Sequence, residues 1–226
     1  MVDPDSSLDP SPDVGADARR LAASLALARE LQGVLVHEFG NPLQSVAVLV
    51  ELAHDSLAAR GPDEAGGVER EAQRLAKALD ATQRLRELIH RSSGLRTLLD
   101  GRKSGTWGDL LDQIVGLLGP RLERLRVTIE RDTATIDGFA LAPGPRGEAC
   151  LALVLDASEQ IRSQRLGRTA LVLGADAQSL RVGLRPEGGE PVAVAPGAIA
   201  RAHALLGADA SACSPEGLAA TLRVAP

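Results

Sequence analysis

Two long segments with helical periodicity, separated by a Gly-Pro stop signal, constrain the fold of this chain most strongly. In the first, from about Ala16 to Arg60, apolar or small residues recur in steps of three and four, at Leu21, Leu25, Ala28, Leu35, Phe39, Pro42, Val46, Leu49 and Ala53. This spacing is typical of the a and d positions of a helical bundle, and only Gln32 interrupts it. Gly61 and Pro62 then predict the end of the helix.

A second helical pattern covers Val68–Leu99 and places its apolar residues at Leu75, Leu79, Leu85, Leu88, Ile89, Leu95 and Leu98. Helices of about 35–45 residues are roughly 50–65 Å long, and a lone hairpin of two such helices cannot bury both apolar faces. We therefore expect residues 16–101 to form a helical hairpin that assembles into a four-helix bundle in a homodimer. Residues 1–15 are rich in Asp, Pro and Ser, and they predict a disordered acidic tail.

After a short basic linker, the pattern changes to a mixture of helices and strands. Predicted helices cover Gly108–Arg126, Pro145–Arg165 and Pro196–Leu206, and predicted strands cover Val127–Glu130, Gly138–Leu141, Thr169–Leu173, Leu180–Leu184 and Ala219–Val224. This order predicts helices on one face of a mainly antiparallel sheet. Residues 107–226 therefore form a second predicted domain, a small α/β sandwich, and the expected fold class of the whole chain is α plus α+β.

Charge and hydropathy exclude several classes of function. The net charge is −5, and the 25 Lys and Arg residues are interleaved with acids, which disfavours nucleic-acid binding. No stretch approaches the roughly 20 apolar residues that a membrane span needs. The start of the chain has acids and prolines where a secretory signal has basic and then apolar residues, so we expect a cytoplasmic location and no membrane. Cys150 and Cys213 fit no metal-site spacing and predict two buried thiols.

The residues with the most chemical information lie in the first helix. With Leu35 at position d and Phe39 at position a, His37 falls at position f, which points furthest from the core of a bundle. An imidazole is largely neutral near pH 7 and is therefore nucleophilic without further activation. Asn41 follows one helical turn later on the same surface. Pro42 lacks an amide donor and predicts a bend in the helix just past the histidine.

The run His37-Glu38-Phe39-Gly40-Asn41-Pro42-Leu43 resembles the H-box of sensor histidine kinases, whose usual form is H-E, an apolar residue, often Arg or Lys, Asn or Thr, and P-L. The chain departs from this form at Gly40. The resemblance implies that His37 is the phosphoacceptor, that Glu38 assists it by taking a proton or orienting the ring, and that Asn41 is associated with dephosphorylating a partner. Together with Gly40, the residues expected to contact a receiver domain are Leu43, Gln44 and Ala47.

The second half resembles, more weakly, the ATP-binding domain of the same kinases. Trp107–Asp132 is similar to its first helix and strand, and Gly197–Pro226 to its last helix and strand. The two asparagines that the N-box helix of that family requires are replaced by Ala152 and Asp156. The adenine-binding D-x-G-x-G loop is replaced by Arg185–Gly189, and too few residues follow for an ATP lid. We therefore expect a degenerate domain with no nucleotide-binding or metal-binding residues.

These observations favour a histidine phosphotransferase of a two-component phosphorelay. It would receive a phosphoryl group from the receiver aspartate of an upstream hybrid kinase and pass it to the receiver domain of a response regulator. No cofactor is expected, because the partner receiver would bind the Mg²⁺. Three alternatives stay open: a pseudokinase scaffold that binds and titrates a response regulator, an atypical histidine kinase, and a phosphatase of a receiver domain.

Overall fold

The computed structural model describes residues 14–58, 68–142 and 144–224. Its first two helices, α1 (Val14–Ala58) and α2 (Val68–Leu99), pack against each other as a hairpin. Their bounds agree with the two predicted helices within the one or two residues by which helix ends normally vary, about half a turn. The Gly-Pro turn signal and nearly all of the predicted acidic tail lie outside the described residues. None of the described helices is both long enough and apolar enough to cross a membrane.

A polar contact fastens the two helices of the hairpin together. Arg74 on α2 donates a hydrogen bond to the backbone carbonyl of Leu52 on α1 at 3.0 Å. The same guanidinium donates to the buried carboxylate of Glu71, also at 3.0 Å. The charge of Glu71 is thereby compensated, which makes its burial between the helices tolerable.

The described residues of the second half, 107–142 and 144–224, form four α-helices and five strands. The helices are α3 (Trp107–Arg124), α4 (Ala134–Asp137), α5 (Pro145–Ser163) and α6 (Pro196–Leu206), and a 3₁₀ segment, Gly207–Ala212, follows α6. The strands are β1 (Val127–Asp132), β2 (Thr169–Ala175), β3 (Ser179–Pro186), β4 (Cys213–Glu216) and β5 (Ala219–Arg223). The predicted combination of helices with an α+β unit is confirmed. The four-helix bundle of a homodimer and the likeness to a kinase ATP-binding domain stay predictions.

The five strands form one sheet in the order β1-β2-β3-β5-β4. The pair β1/β2 is parallel and the other three pairs are antiparallel, in agreement with the predicted mainly antiparallel sheet. The hairpin β2/β3 is in register with Leu171 opposite Leu184 and Leu173 opposite Val182. These four side chains are buried, so the face they share is the one covered by helices.

The prediction of a strand over Gly138–Leu141 is wrong. Gly138 and Phe139 form a turn and a bend that follow the short helix α4, in which the backbone amides of Ile136 and Asp137 donate to the carbonyl of Thr133. The Thr133 hydroxyl and Arg131 both donate to the carboxylate of Asp137, which stabilises this turn. Ala140 then forms an isolated antiparallel bridge with Thr106.

Strand β4 has no counterpart among the predicted strands. Its sequence, Cys213-Ser-Pro-Glu216, lacks the apolar alternation that identifies a half-buried strand. It lies at the edge of the sheet and pairs only with β5, and an edge position tolerates Pro215 because one side of the strand needs no amide donor. The strand is therefore specified by its partner and not by its own pattern.

Local signals explain where the main helices of the second half begin. Thr106 caps α3, since its hydroxyl accepts from the amide of Asp109 at 3.1 Å while the Asp109 carboxylate accepts from the Thr106 amide at 2.8 Å. This reciprocal capping box satisfies two amides that have no partner inside the helix. Pro145 and Pro196 open α5 and α6, where a missing amide costs nothing.

The hairpin and the second half share one hydrophobic core. Leu27 and Val34 of α1 are buried in the same cluster as the leucines of α3 and α5. Together with Ser24, Leu31 and Glu38, they form a stripe with a spacing of three and four, which we call the docking stripe of α1. Ser24 donates to Glu148 of α5 at 2.6 Å. Ser24 and Glu38, at the two ends of this stripe, both contact the second half of the chain.

The predicted seam of α1 is therefore correct only in part. Its later members, from Leu35 to Leu49, are partly buried, and Ala53 is buried. Leu21, Leu25 and Ala28 are exposed instead, because the neighbouring docking stripe takes the buried side of this half of the helix. The break in the predicted seam at Gln32, beside the uninterrupted docking stripe, was the sequence signal for this change of face.

Several large apolar side chains of the hairpin remain exposed in the single chain. We call five of them the hairpin stripe: Val36 and Val50 on α1, and Leu75, Leu79 and Ile89 on α2. Each is between 48% and 65% exposed. The two on α1 are fourteen residues apart, or two heptads, so they lie in one row along the helix.

Candidate functional site

The predicted phosphoacceptor lies on the middle of α1, and its side chain is exposed. Among the described residues, no side chain forms a hydrogen bond or an ion pair with the ring of His37. Asn41 is exposed one turn further on, and its backbone carbonyl accepts from the hydroxyl of Ser45 at 3.0 Å. Helix α1 continues through Pro42, so the proline removes one helical hydrogen bond without ending the helix.

Glu38 follows His37 but points to the other side of the helix. Only 3% of its side chain is exposed, because it is the last member of the docking stripe. Arg124, in the last turn of α3, donates to both carboxylate oxygens, with Arg124 Nη1 3.1 Å from Glu38 Oε2. This hydrogen bond raises the pKa of Arg124 further above its usual value. The carboxylate that the resemblance assigned to assist His37 is thus held by an arginine of the second half.

A cleft of about 390 Å³ lies beside His37, between α1 and the ends of α3 and α5. We call it the arginine pocket. The charged residues that line it are Glu38, Arg121, Arg124, Glu159 and Arg162.

The charges in the arginine pocket are arranged around two carboxylates. Arg121 of α3 and Arg162 of α5 both donate to the Glu159 carboxylate, each with one nitrogen at 2.9 Å. These hydrogen bonds, first of all that of Arg162, lower the pKa of Glu159. The side chains of Glu159 and Arg162 are 39% and 61% exposed, so this part of the pocket is open to solvent.

The predicted receiver-contacting residues are all on the accessible surface of α1. Gly40, Leu43, Gln44 and Ala47 are exposed. A Cβ atom added at Gly40 would meet no atom within 4 Å, so the surface beside the histidine is open at this position. The structure therefore brings these four residues and His37 onto the same stretch of one helix.

On the other side of Glu38, a second cleft of about 620 Å³ separates the hairpin from α3. Asn41 and Pro42 line it from α1, and Arg91 lines it from α2. Gly116 of α3 faces Arg91 so closely that a Cβ there would lie 1.8 Å from the guanidinium, so a larger residue would displace this flexible side chain. Glu38 therefore lies between two clefts that are both lined by the second half of the chain.

The two residues that the sequence comparison aligned with the N-box asparagines both lie on α5. Ala152 is fully buried in α5. Asp156 accepts from Arg201 Nη1 at 2.8 Å, and the same nitrogen donates to Glu30 of α1 at 2.6 Å. Burial raises the pKa of Asp156, an effect that Arg201 opposes. Arg201 thus connects α5, α6 and α1 through two carboxylates.

The segment expected in place of the adenine-binding loop, Arg185–Gly189, includes a turn. Gly188 has a φ of 69°, in the left-handed region, and lies in the turn that follows β3. A glycine is required there because other residues adopt this conformation only with strain. No group of three or more His, Cys, Asp or Glu side chains able to hold a metal ion occurs in the described part of the chain.

Sequence reasoning missed the arginine pocket. Arg121 and Arg124 occur in an ordinary basic last turn of α3, a pattern that the helix dipole favours in any helix. Arg162 occupies the equivalent place at the end of α5. Nothing local indicates that these two helix ends meet beside His37, which lies more than 80 positions earlier in the chain.

No protein-family model matches the chain. Likewise, no curated protein matches it. Among solved structures, the chain is similar to the histidine kinase AdeS of Acinetobacter baumannii, with a TM-score of 0.35 and 14% sequence identity over 83% of this chain and 98% of that one. Values this low assign neither a family nor a function.

Proposed function

We propose that this protein is a histidine phosphotransferase that exchanges a phosphoryl group between His37 and the aspartates of receiver domains. In the forward step, an unprotonated ring nitrogen of His37 attacks the phosphorus of an aspartyl phosphate. The P–N bond forms as the P–O bond to the aspartate breaks, and the electron pair leaves with the aspartate carboxylate. The proton on the other ring nitrogen is released to solvent or is retained as an imidazolium. Transfer to a second receiver reverses these events.

The observation that carries this proposal is the exposed, unpaired ring of His37 on the open surface of α1. A second protein must approach an acceptor nitrogen within about 3–3.5 Å and in line with the bond that breaks. Asn41, Gln44 and the unobstructed position of Gly40 lie on the same surface. In sequence this surface resembles the H-box of histidine kinases.

The hairpin stripe supports a homodimer as the working form. An exposed stripe of valine, leucine and isoleucine side chains along two helices is an unfavourable surface for a lone chain, and a second copy with the same stripe can cover it by two-fold symmetry. The result would be a four-helix bundle, with one His37 on the outside of each α1.

The contacts of Asp156 favour a phosphoryl group that comes from another protein and not from ATP. A nucleotide site needs a free carboxylate or amide for the divalent ion and open space for phosphates. Here the Asp156 carboxylate accepts from Arg201, which is bound in turn to Glu30 of α1. Opening this site would require breaking the contact between the hairpin and the second half.

The test is acid-labile labelling of His37, with labelled ATP and Mg²⁺, in the presence and absence of a panel of hybrid kinases from the same organism. We expect label only with a kinase, and its loss in His37→Ala. His54→Ala is the matched control, because His54 is also exposed on α1 and should keep full labelling.

Three other outcomes would contradict the proposal. Label with ATP alone would indicate an autokinase. Loss of phosphate from a receiver domain without any labelled His37 would indicate a phosphatase. Binding of a receiver domain without transfer in either direction would indicate a scaffold.

A further inference from the structure

The arginine pocket contains more positive than negative side chains, and ion pairing alone does not require this excess. Three arginines surround two carboxylates, so the pocket carries one unbalanced positive charge when His37 is neutral. The arginines come from α3 and α5, and the histidine comes from α1. The hairpin therefore brings the histidine and one of the two carboxylates, Glu38, to a positively charged surface formed by α3 and α5.

We propose that this pocket is an anion site that receives the phosphoryl group once it is attached to His37, with Arg124 and Arg162 as positioning residues and Glu38 as the resident carboxylate of Arg124. The inference rests on the proposed function, because it concerns the phosphorylated form of the same histidine. It assigns a role to the second half of the chain that requires no nucleotide.

The geometry supports an anion as the ligand. His37 and the three arginines line the same cleft of about 390 Å³, which has room for a phosphoryl group. Arginine presents several donors in a planar fork that fits the oxygens of a phosphoryl group. The Arg124 side chain is 45% exposed although its carboxylate partner is 3% exposed, so part of its guanidinium remains open to a second anion.

Glu38 has a definite function in this arrangement. Without its carboxylate, Arg124 would add a second unbalanced charge and bind the phosphoryl group more strongly. A strong site would hinder the onward transfer that a relay requires, so Glu38 moderates the attraction. The docking of the hairpin and the affinity for the phosphoryl group are thereby linked through one ion pair.

The second ionisation of the phosphoryl group reports on this charge directly. Full-length protein is phosphorylated on His37 with phosphoramidate, a small P–N donor that releases ammonia. The ³¹P resonance of the phosphohistidine is then followed between about pH 6 and pH 9. A nearby positive charge favours the dianion and lowers the titration midpoint, and a nearby negative charge raises it.

Arginine and glutamate variants should therefore shift the titration midpoint in opposite directions. Arg162→Gln and Arg124→Gln should each raise the midpoint by about half a pH unit, the reduced effect expected of partly solvated charges. Glu159→Gln and Glu38→Gln should lower it by a similar amount. Arg96→Gln is the matched control, because this arginine is 74% exposed on α2, lies outside the pocket, and should leave the midpoint unchanged.

The signs separate an anion site from an ion pair that only fastens the fold. If the pairs were purely structural, arginine and glutamate variants would lower thermal stability together and leave the midpoint in place. If His37 is phosphorylated normally but the midpoints of Arg162→Gln and Glu159→Gln are unshifted, the anion site is refuted and the proposed function is not affected. These two residues are at least 39% exposed, so their variants should fold. Failure of His37 to accept a phosphoryl group from both phosphoramidate and the kinase panel would overturn the proposed function as well.

Discussion

Replacing Leu79 with glutamate should dissociate the proposed homodimer. Leu79 is in the middle of the hairpin stripe on α2, and 60% of it is exposed in the single chain. Complete burial of a leucine side chain is worth about 1.5–3 kcal/mol. The exposed part of Leu79 therefore accounts for about 1–2 kcal/mol per protomer if a second copy covers it. Two-fold symmetry counts this amount twice, which gives about 2–4 kcal/mol for the dimer.

This free energy corresponds to a large change in affinity. Since about 1.4 kcal/mol is a factor of ten, the dissociation constant of Leu79→Glu should rise by roughly 30- to 700-fold. Burying the introduced carboxylate would add to the effect. The measurement is sedimentation equilibrium over a range of protein concentrations, with circular dichroism to verify that the helices remain.

The control for this prediction is Leu218→Glu. Leu218 is 47% exposed, but it lies in the turn between β4 and β5, far in sequence from the hairpin stripe. The dimer should therefore be unaffected. A wild-type chain that is monomeric at all concentrations, or a Leu79→Glu variant that dimerises as tightly as Leu218→Glu, would refute the reasoning from the exposed stripe.

Two further predictions concern stability, both measured by urea unfolding. Arg201→Met should lower the free energy of unfolding by about 1–3 kcal/mol, because it leaves the carboxylates of Glu30 and Asp156 close together without their arginine. Arg84 is exposed, and Arg84→Met should change the free energy by less than about 0.5 kcal/mol. Equal effects of the two variants would contradict a stabilising role of Arg201 between these carboxylates. Gly40→Ala should raise the free energy by about 0.5–1 kcal/mol, since its Cβ meets open space. Gly108→Ala should lower the free energy of unfolding, since its Cβ would lie 2.9 Å from the carbonyl oxygen of Asp137. An increase in stability in both glycine variants would show that helix propensity, and not the space around the glycine, determines the effect.

Most elements could be predicted from sequence because their signals are local. The capping box at Thr106, the prolines that open α5 and α6, and the alternation in β2 and β3 each act within a few residues. Where a signal was absent or ambiguous, prediction failed. Strand β4 depends on pairing with β5, and the chain at Gly138–Leu141 depends on a polar turn that apolar alternation does not describe.

The candidate site divides in the same way. The surface of α1 that carries His37 and Asn41 follows from helical periodicity, since one turn brings them together whatever the rest of the chain does. The surroundings of Glu38 do not follow from it. Both the predicted seam and the docking stripe have the spacing of a buried helix face, and periodicity cannot say which of them meets α2 and which meets α3, α5 and α6.

The sequence by itself therefore determined the helical hairpin, most of the sheet and the histidine that stands out on the first helix. Only the tertiary structure decided that Glu38 is buried against Arg124 and that three arginines gather beside His37. The physical reason is the range of the interactions. Propensities, caps and periodicity act over a few residues, whereas the ion pair between Glu38 and Arg124 joins positions 86 residues apart and forms only after the hairpin has docked on the second half.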